Sequence, residues 1–180
     1  MTKHNLPQHH SIRYYGYDYS QEGLYFVTIC TQGRLCLFGD IVEEEMVLND
    51  VGRIAKECWL AIPEHFPLVE LHEFVIMPNH IHGIIELVGA NKHSPDDTIL
   101  FKSPSKTIGS VIRGFKIGVM KEYKKYITRA NVDSPLQQQS TIWQRNYYEH
   151  IIRNDESYQK ITEYIFENPK YWQTDDYYNQ

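Results

Sequence analysis

Two histidines separated by one residue, His80 and His82, are the side chains in this sequence whose types and spacing best suit a metal ion. The run 74–87 reads as two apolar strands joined at a Met-Pro-Asn turn. Side chains of a β-strand alternate between its two faces, so residues two apart point the same way. Both imidazoles are therefore expected on one face of the second strand, where together they can bind one divalent cation.

A tyrosine and an amide near the C-terminus form a second pair. Tyr164 and Asn168 are four residues apart in a predicted helix, so they share a face one turn from each other. If that face lies beside the histidines, a metal can polarise a phosphodiester while a tyrosine attacks phosphorus. Free tyrosine has a pKa near ~10, so it needs help from metal charge or a base. Spacing alone does not select Tyr164 over Tyr158 or Tyr148.

The composition is ordinary for a soluble globular protein: 180 residues, of which 42% are hydrophobic and 23% charged. No apolar run is long enough to span a membrane, and the first residues lack an apolar signal region, which predicts a cytoplasmic protein. The three cysteines lack metal-site spacing and fit reduced thiols. The net charge of -5 gives no global attraction to nucleic acid, so any nucleic-acid surface must be a local patch.

Hydrophobic periodicity predicts the elements that position these side chains. Strands are predicted at 24–31, 69–77, 81–88 and, with an irregular start, 142–153, with a short hairpin or loop at 32–48. Helices are predicted from Asn49 or Asp50 to about Glu64, from Ser105 or Thr107 to about Tyr126, and from Asn154 or Asp155 to Pro169. This order predicts an α+β fold, an antiparallel sheet of about four main strands with helices packed on one face.

Two regions are predicted along the chain. Residues 1–20 are expected to form an irregular arm, which either contacts a partner through its tyrosines and Arg13 or packs loosely. Residues 21–175 are expected to form a single domain. Within it, residues 89–104 have the composition of a loop.

The second predicted helix is apolar on one side and basic on the other. Glu122 is the only acidic residue between Lys106 and Arg129. A solvated helix face is the usual role of such lysines, but the imbalance of charge favours a phosphate partner. The basic residues of this helix are Lys106, Arg113, Lys116, Lys121, Lys124 and Lys125.

Four short motifs occur in one order: Met-Pro-Asn-His-Ile-His-Gly (77–83), Trp-Gln-Arg (143–145), Tyr-Glu-His-x-x-Arg (148–153) and Tyr-Ile-x-x-Asn-Pro (164–169). Over roughly residues 24–172 the sequence resembles the single-tyrosine HUH transposases, and most of all the REP-associated tyrosine transposases. The resemblance implies a ferredoxin-like fold, Tyr164 as the nucleophile, and a Mg²⁺ or Mn²⁺ ion bound by His80, His82 and Asn168. Many family members carry Gln at the last of these positions.

The resemblance further implies an enzyme that cleaves and rejoins single-stranded DNA, usually at a hairpin, through a 5′-phosphotyrosine intermediate, in DNA transposition or REP-element processing. Single-stranded or hairpin DNA is then the expected partner, bound by a monomer or a homodimer, without a membrane. His150 lies in a matching segment and either approaches the metal or a phosphate, or makes structural hydrogen bonds. The residues expected to bind DNA are Lys106, Arg113, Lys116, Lys121, Lys124, Arg145 and Arg153.

Two other functions fit part of the pattern. A non-catalytic DNA-binding protein derived from such a transposase would keep the basic helix without needing cleavage. An unrelated metal hydrolase would use His80 and His82, but no third His, Asp or Glu ligand stands at a recognisable spacing. The acidic overall charge departs from the expectation for a DNA-processing enzyme and argues against tight non-specific binding.

Overall fold

A computed structural model describes residues 22–88, 107–130 and 141–178 of the chain. The arm expected over 1–20, the loop expected over 89–104, Lys106, and the polar stretch 131–140 lie outside these ranges. The elements, in chain order, are β1 (Gly23–Cys30), β2 (Gly39–Val42), β3 (Glu45–Leu48), α1 (Asp50–Leu60), α2 (Ile62–His65), β4 (Val69–Ile76), β5 (His80–Leu87), α3 (Ile108–Ala130), β6 (Tyr148–Ile152) and α4 (Asp155–Glu167). Two 3-10 turns span Gln32–Arg34 and Trp172–Thr174.

The main sheet has the strand order β4-β5-β1-β6, and every neighbouring pair is antiparallel. With α1 between β1 and β4 and α3 between β5 and β6, this is the β-α-β-β-α-β arrangement of ferredoxin-like folds. The predicted α+β class and the four-stranded antiparallel sheet are therefore confirmed. β2 and β3 pair as a separate hairpin within the region predicted as a hairpin or loop.

One face of the sheet carries the larger core. Side chains of β1 that alternate inward, such as Val27, pack there with Trp59 of α1 and Phe115 of α3. Gly83 of β5 allows Trp59 to approach the sheet, because a Cβ added to Gly83 would lie 2.3 Å from the Trp59 ring. The sheet backbone and α1 are thus held together at the strand that carries the two histidines.

The prediction that all helices pack on one face of the sheet is wrong. α1 and α3 cover one face, whereas α4 covers the other, where Ile165 packs against Phe26, Ile84 and Ile152. The reason lies in the strands themselves. β1 and β5 are apolar at successive positions, so both of their faces must be removed from water.

Two element boundaries differ from the prediction for identifiable reasons. The first helix ends at Leu60 and a separate short helix follows, because Pro63 lacks an N–H and is placed in the first turn of a new helix. The last strand begins only at Tyr148, because residues 142–144 bond to the end of β1 and its following turn instead of extending the ladder. None of the helices in the described ranges is long and apolar enough to cross a membrane.

Candidate metal and nucleophile site

His80 and His82 project from the start of β5 onto the face of the sheet that α4 covers. The turn before them is closed by the Met77 N–H, which donates to the His80 carbonyl at 2.8 Å. In the strand register His82 pairs with Thr28 of β1, and His80 pairs with Cys30. Both imidazoles are buried, and their ring centroids are 4.4 Å apart. The predicted shared face of the two histidines is confirmed.

The Nδ1 atom of each histidine is held by a neighbouring polar side chain. The Asn79 amide nitrogen donates to the Arg34 and Tyr177 carbonyls, so Asn79 Oδ1 is left to accept from His80 Nδ1 at 2.8 Å. His82 Nδ1 meets Thr28 Oγ1 at 2.8 Å. A proton on Nδ1 satisfies both contacts and leaves the lone pair of each Nε2 directed away from these partners, where it can accept a hydrogen bond or bind a metal. Such outer partners are the usual means of orienting metal-binding histidines.

Burial keeps both imidazoles uncharged. It lowers the pKa of His82 to about 3. Burial, followed by the proximity of His82 and Arg34, holds the pKa of His80 well below its ordinary value. At neutral pH both rings are therefore in the unprotonated form that ligates metals, and they do not have to lose a proton to bind one.

α4 brings Tyr164 to this pair. The helix begins where the Asn154 side chain accepts from the Ser157 N–H at 2.8 Å. Acidic residues in the first turn stabilise the helix further, because they interact favourably with the positive end of its dipole. With Ile165 facing the sheet, the Tyr164 hydroxyl lies 3.1 Å from His82 Nε2. The ring of Phe26 stacks on His82 and meets Tyr164 edge-on. Tyr164 remains 44% exposed, so a substrate can reach its hydroxyl.

The two other tyrosines considered as nucleophiles lie elsewhere. The Tyr158 hydroxyl donates to Glu73 at 2.8 Å and contacts His72 at 3.1 Å, both on the edge strand β4. Tyr148 is exposed at the start of β6, where it pairs with Thr28. The geometry thus brings Tyr164, and not Tyr158, into hydrogen-bond distance of the histidine pair.

Asn168 and a residue beyond α4 complete the polar cluster. Asn168, at the C-cap of α4, is buried, and its amide nitrogen donates to Asp175 at 3.0 Å. Ligand atoms of His80, His82 and Asp175 all lie within 4.8 Å of one another. Asn168 Oδ1 and His80 Nε2 are buried and form no hydrogen bond with any part of the chain that the structure describes.

These residues fit a divalent cation. Two neutral imidazole nitrogens, an amide oxygen and a carboxylate are a mixed nitrogen and oxygen donor set, which suits ions such as Mn²⁺ and, through its oxygens, Mg²⁺. A bound cation would also satisfy the two buried atoms that otherwise lack partners. The chemistry of the donor set therefore agrees with the ion that the sequence resemblance implies.

The phenol of Tyr164 is neutral in the arrangement described. Burial, followed by the proximity of Asp175 and Tyr177, raises the pKa of Tyr164 to about 12. A nearby cation acts in the opposite direction, because positive charge stabilises a phenolate. A positive charge at the histidine pair would therefore be needed for this phenol to ionise near neutral pH.

The residues predicted to bind DNA lie mostly on the opposite side of the sheet. A groove of about 1160 Å³ runs between α3 and residues 141–147, and none of its described lining residues is acidic. Arg153 is exposed beyond the end of β6, outside this groove, and Lys106 is not among the described residues. The predicted DNA-binding residues that line the groove are Arg113, Lys116, Lys121, Lys124 and Arg145.

Lys116 differs from the other basic residues of the groove. Its ammonium donates to the carbonyls of Gln144 at 2.8 Å and Asn146 at 3.1 Å, which fixes the segment before β6. Burial lowers the pKa of Lys116 to about 8. Trp143, the first residue of the Trp-Gln-Arg motif, is buried against Phe38 and Phe115 in the core. His150 is exposed on β6.

Three residues of the site were missed by the sequence reasoning. Thr28 and Asn79 hold the histidines, and Asp175 contributes a carboxylate. Asn79 stands directly before the motif histidine and could have been found from that position. Thr28 and Asp175 reach the site only through strand pairing and the course of the chain after α4, so no local pattern identifies them.

Known proteins resemble this chain in sequence and in fold. No protein-family model matches the sequence. An uncharacterized protein of Haemophilus influenzae is 45% identical over 186 residues, covering 98% of both chains. A putative REP-associated tyrosine transposase of the same species is 27% identical over 155 residues, covering 86% of this chain and 74% of that protein. A REP-associated tyrosine transposase bound to a REP hairpin shares the fold, with a TM-score of 0.56 and 19% identity over 88% of this chain and 73% of that one.

Proposed function

This chain belongs to the transposase family that includes the REP-associated tyrosine transposases, and we propose that it cleaves and rejoins single-stranded DNA through Tyr164. The observation that carries the proposal is the 3.1 Å contact between the Tyr164 hydroxyl and His82 Nε2, at the edge of a buried cluster suited to a metal.

The proposed step is a transesterification. Tyr164 Oη attacks the phosphorus of a phosphodiester, so an O–P bond to the tyrosine forms and the bond from phosphorus to the 3′ oxygen breaks. The phenolic proton passes to water, and the leaving 3′ oxygen takes up a proton. The product is a 5′-phosphotyrosine, and a 3′ hydroxyl can attack it in the reverse sense to rejoin strands. No ATP is needed because the ester retains the bond energy.

Each residue of the site has a part in this step. His80, His82 and Asn168 would hold a divalent ion, with Mn²⁺ and Mg²⁺ as the expected ions. When bound, such an ion polarises the phosphodiester and stabilises negative charge on the attacking and leaving oxygens. Thr28 and Asn79 keep each Nε2 directed at the ion. Phe26 packs on both His82 and Tyr164 and so fixes the phenol relative to the imidazole.

The basic groove supports DNA as the substrate. Besides Lys116, which bonds to backbone carbonyls, its lining has four basic side chains and no acid among the described residues, although the chain as a whole is acidic. Phosphate contacts of this kind supply affinity without reading sequence. The relative solved with a REP hairpin makes a DNA hairpin the first substrate to test for this chain. We propose that the groove holds the phosphate backbone of such a hairpin, while a single-stranded flank reaches the tyrosine.

A covalent-trapping assay tests the activity. Wild type and Tyr164→Phe are incubated with Mn²⁺ and a labelled pool of single-stranded DNAs that contain hairpins, then separated on a denaturing protein gel. We expect a shifted, labelled band with wild type and none with the variant. Tyr158→Phe is the matched control, because its hydroxyl bonds to Glu73 and His72 instead of the histidine pair, and it should keep the band.

The other outcomes assign the alternatives. DNA binding without any adduct over many substrates would contradict the proposal and support a non-catalytic DNA-binding protein, which the basic groove alone could serve. Hydrolysis that continues in Tyr164→Phe would instead indicate a metal hydrolase. Such an enzyme would need a third His, Asp or Glu ligand, and the Asp175 carboxylate lies close enough to the two histidines to be a candidate.

A further inference from the structure

Asp175 lies beyond α4, yet the chain carries it back to the histidines. The 3-10 turn Trp172–Thr174 reverses the chain after Pro169, and the buried Trp172 side chain anchors it. Asp175 then lies with a carboxylate oxygen within 4.8 Å of the nearest ligand atoms of His80 and His82. The residue is half-buried, unlike its exposed neighbour Asp176.

The Asp175 carboxylate is held in place by two hydrogen bonds. One oxygen accepts from the Tyr177 N–H at 2.6 Å, and the other accepts from the Asn168 amide nitrogen at 3.0 Å. Hydrogen bonds also fix the backbone of the next two residues, since Arg34 donates to the Asp176 carbonyl at 2.7 Å and Asn79 donates to the Tyr177 carbonyl at 2.8 Å. This is a positioned carboxylate, with lone pairs still free on both oxygens.

The bond from Asn168 to Asp175 also fixes the orientation of the Asn168 amide. Because the nitrogen is directed at Asp175, the oxygen must point the other way, and it forms no hydrogen bond within the described chain. His80 Nε2, with its lone pair, is likewise buried without a partner there. The buried cluster thus contains three acceptors: the His80 imidazole nitrogen, the Asn168 amide oxygen and the Asp175 carboxylate. Only a donor or a cation can satisfy them together.

We propose that Asp175 is a direct ligand of the divalent ion held by His80, His82 and Asn168. This inference rests on the metal site of the proposed function and adds a fourth protein group to it. A carboxylate beside an amide oxygen gives the site two hard oxygen donors against two imidazoles. That balance favours Mn²⁺ more than a site of imidazoles alone, which suits Zn²⁺ and copper. Asp175 at the same time orients the Asn168 amide.

Isothermal titration of Mn²⁺ into the full chain, without DNA, tests this. We expect Asp175→Ala to weaken Mn²⁺ binding about 10–100-fold, the loss seen when groups that support a metal site are removed. Asp176→Ala is the matched control, because Asp176 contributes only its backbone carbonyl to the Arg34 contact, and its affinity should equal that of wild type. Asp175→Asn keeps an acceptor for the Asn168 amide but removes the charge, so it should also bind more weakly.

A double substitution separates ligation from orientation. If Asp175 is a ligand, Asp175→Ala should weaken binding again when Asn168 is already alanine. No further loss in that background would overturn direct ligation and leave Asp175 acting only through Asn168. Direct ligation by Asp175 would also be overturned if Asp175→Asn bound Mn²⁺ with wild-type affinity and showed unchanged near-UV circular dichroism. Failure of the wild type to bind Mn²⁺ would overturn it as well. The adduct assay decides the proposed function separately, since it detects the covalent product with DNA and the titration measures Mn²⁺ affinity without DNA.

Discussion

Replacing Thr28 by valine removes one hydroxyl beside His82 and leaves the shape of the side chain almost unchanged. Thr28 is buried in β1, and its hydroxyl lies 2.8 Å from His82 Nδ1. Valine fits the same strand position but cannot accept a hydrogen bond. The substitution therefore leaves a buried imidazole N–H without a partner, or forces the ring into the tautomer whose proton sits on Nε2, where a metal must bind.

The substitution is expected to lower both the stability of the fold and the affinity for the metal, and each loss can be estimated. A buried donor that loses its acceptor costs about 1–3 kcal/mol of stability. For a chain of this length each kcal/mol changes Tm by about 2–4 °C, so a loss of ~2 kcal/mol lowers Tm by roughly 6 °C. Loss of an outer partner weakens a metal site about 10–100-fold. At a Mn²⁺ concentration of about 100 times the wild-type Kd, a tenfold loss reduces metal stabilisation from about 2.7 to about 1.4 kcal/mol.

Thermal melting with and without Mn²⁺ measures both terms on the same samples. Thr28→Val should melt below wild type without metal and gain less from added Mn²⁺. Thr128→Val is the control for the same chemical change, because Thr128 is exposed on α3 and bonds only to the Lys124 carbonyl in its own helix. The reasoning is refuted if Thr28→Val melts with wild type and gains as much from Mn²⁺, since His82 would then need no partner at Nδ1.

Two further predictions follow from the packing. Burial lowers the pKa of Lys116 from 10.5 to about 8, so between pH 8 and 10.5 the unfolded chain holds a proton that the folded chain has lost. The free energy of unfolding, measured with urea, should therefore rise with pH across this window in wild type relative to Lys116→Met. Parallel pH profiles of the two proteins would contradict this prediction. Gly83→Ala should lower the free energy of unfolding by about 1–3 kcal/mol, because the added Cβ would collide with the Trp59 ring. An unchanged urea midpoint and unchanged tryptophan fluorescence would contradict this, since the Trp59 ring would then move aside without loss of stability.

Much of the site could be predicted because it depends on local periodicity. The two-residue repeat of a strand places His80 and His82 on one face, and the helical repeat places Tyr164 and Asn168 on another, whatever the rest of the chain does. Asn154 was one of the two residues predicted to begin the last helix, and the structure has it as the N-cap. These features need only a few neighbouring residues to be correct.

The parts that could not be predicted depend on pairing between distant segments. The sheet face that α4 covers is the one where it packs against residues of β1, β5 and β6, and a helix pattern carries no information on that choice. Thr28 reaches His82 across 54 residues, and Asp175 follows a helix that ends at Glu167. Lys116 was read as a phosphate ligand from its place on a basic face, but its ammonium bonds to backbone carbonyls of the segment before β6.

The most direct test of the central claim is to identify the residue that carries DNA. Wild type is reacted with Mn²⁺ and a cleavable hairpin strand, the adduct is digested with nuclease and protease, and the peptides are sequenced by mass spectrometry. We predict the remaining nucleotide phosphate on Tyr164, and no adduct when the metal is removed with EDTA. A phosphate on Tyr158 or Tyr148, or strand cleavage that leaves no covalent mark on the protein, would contradict the account.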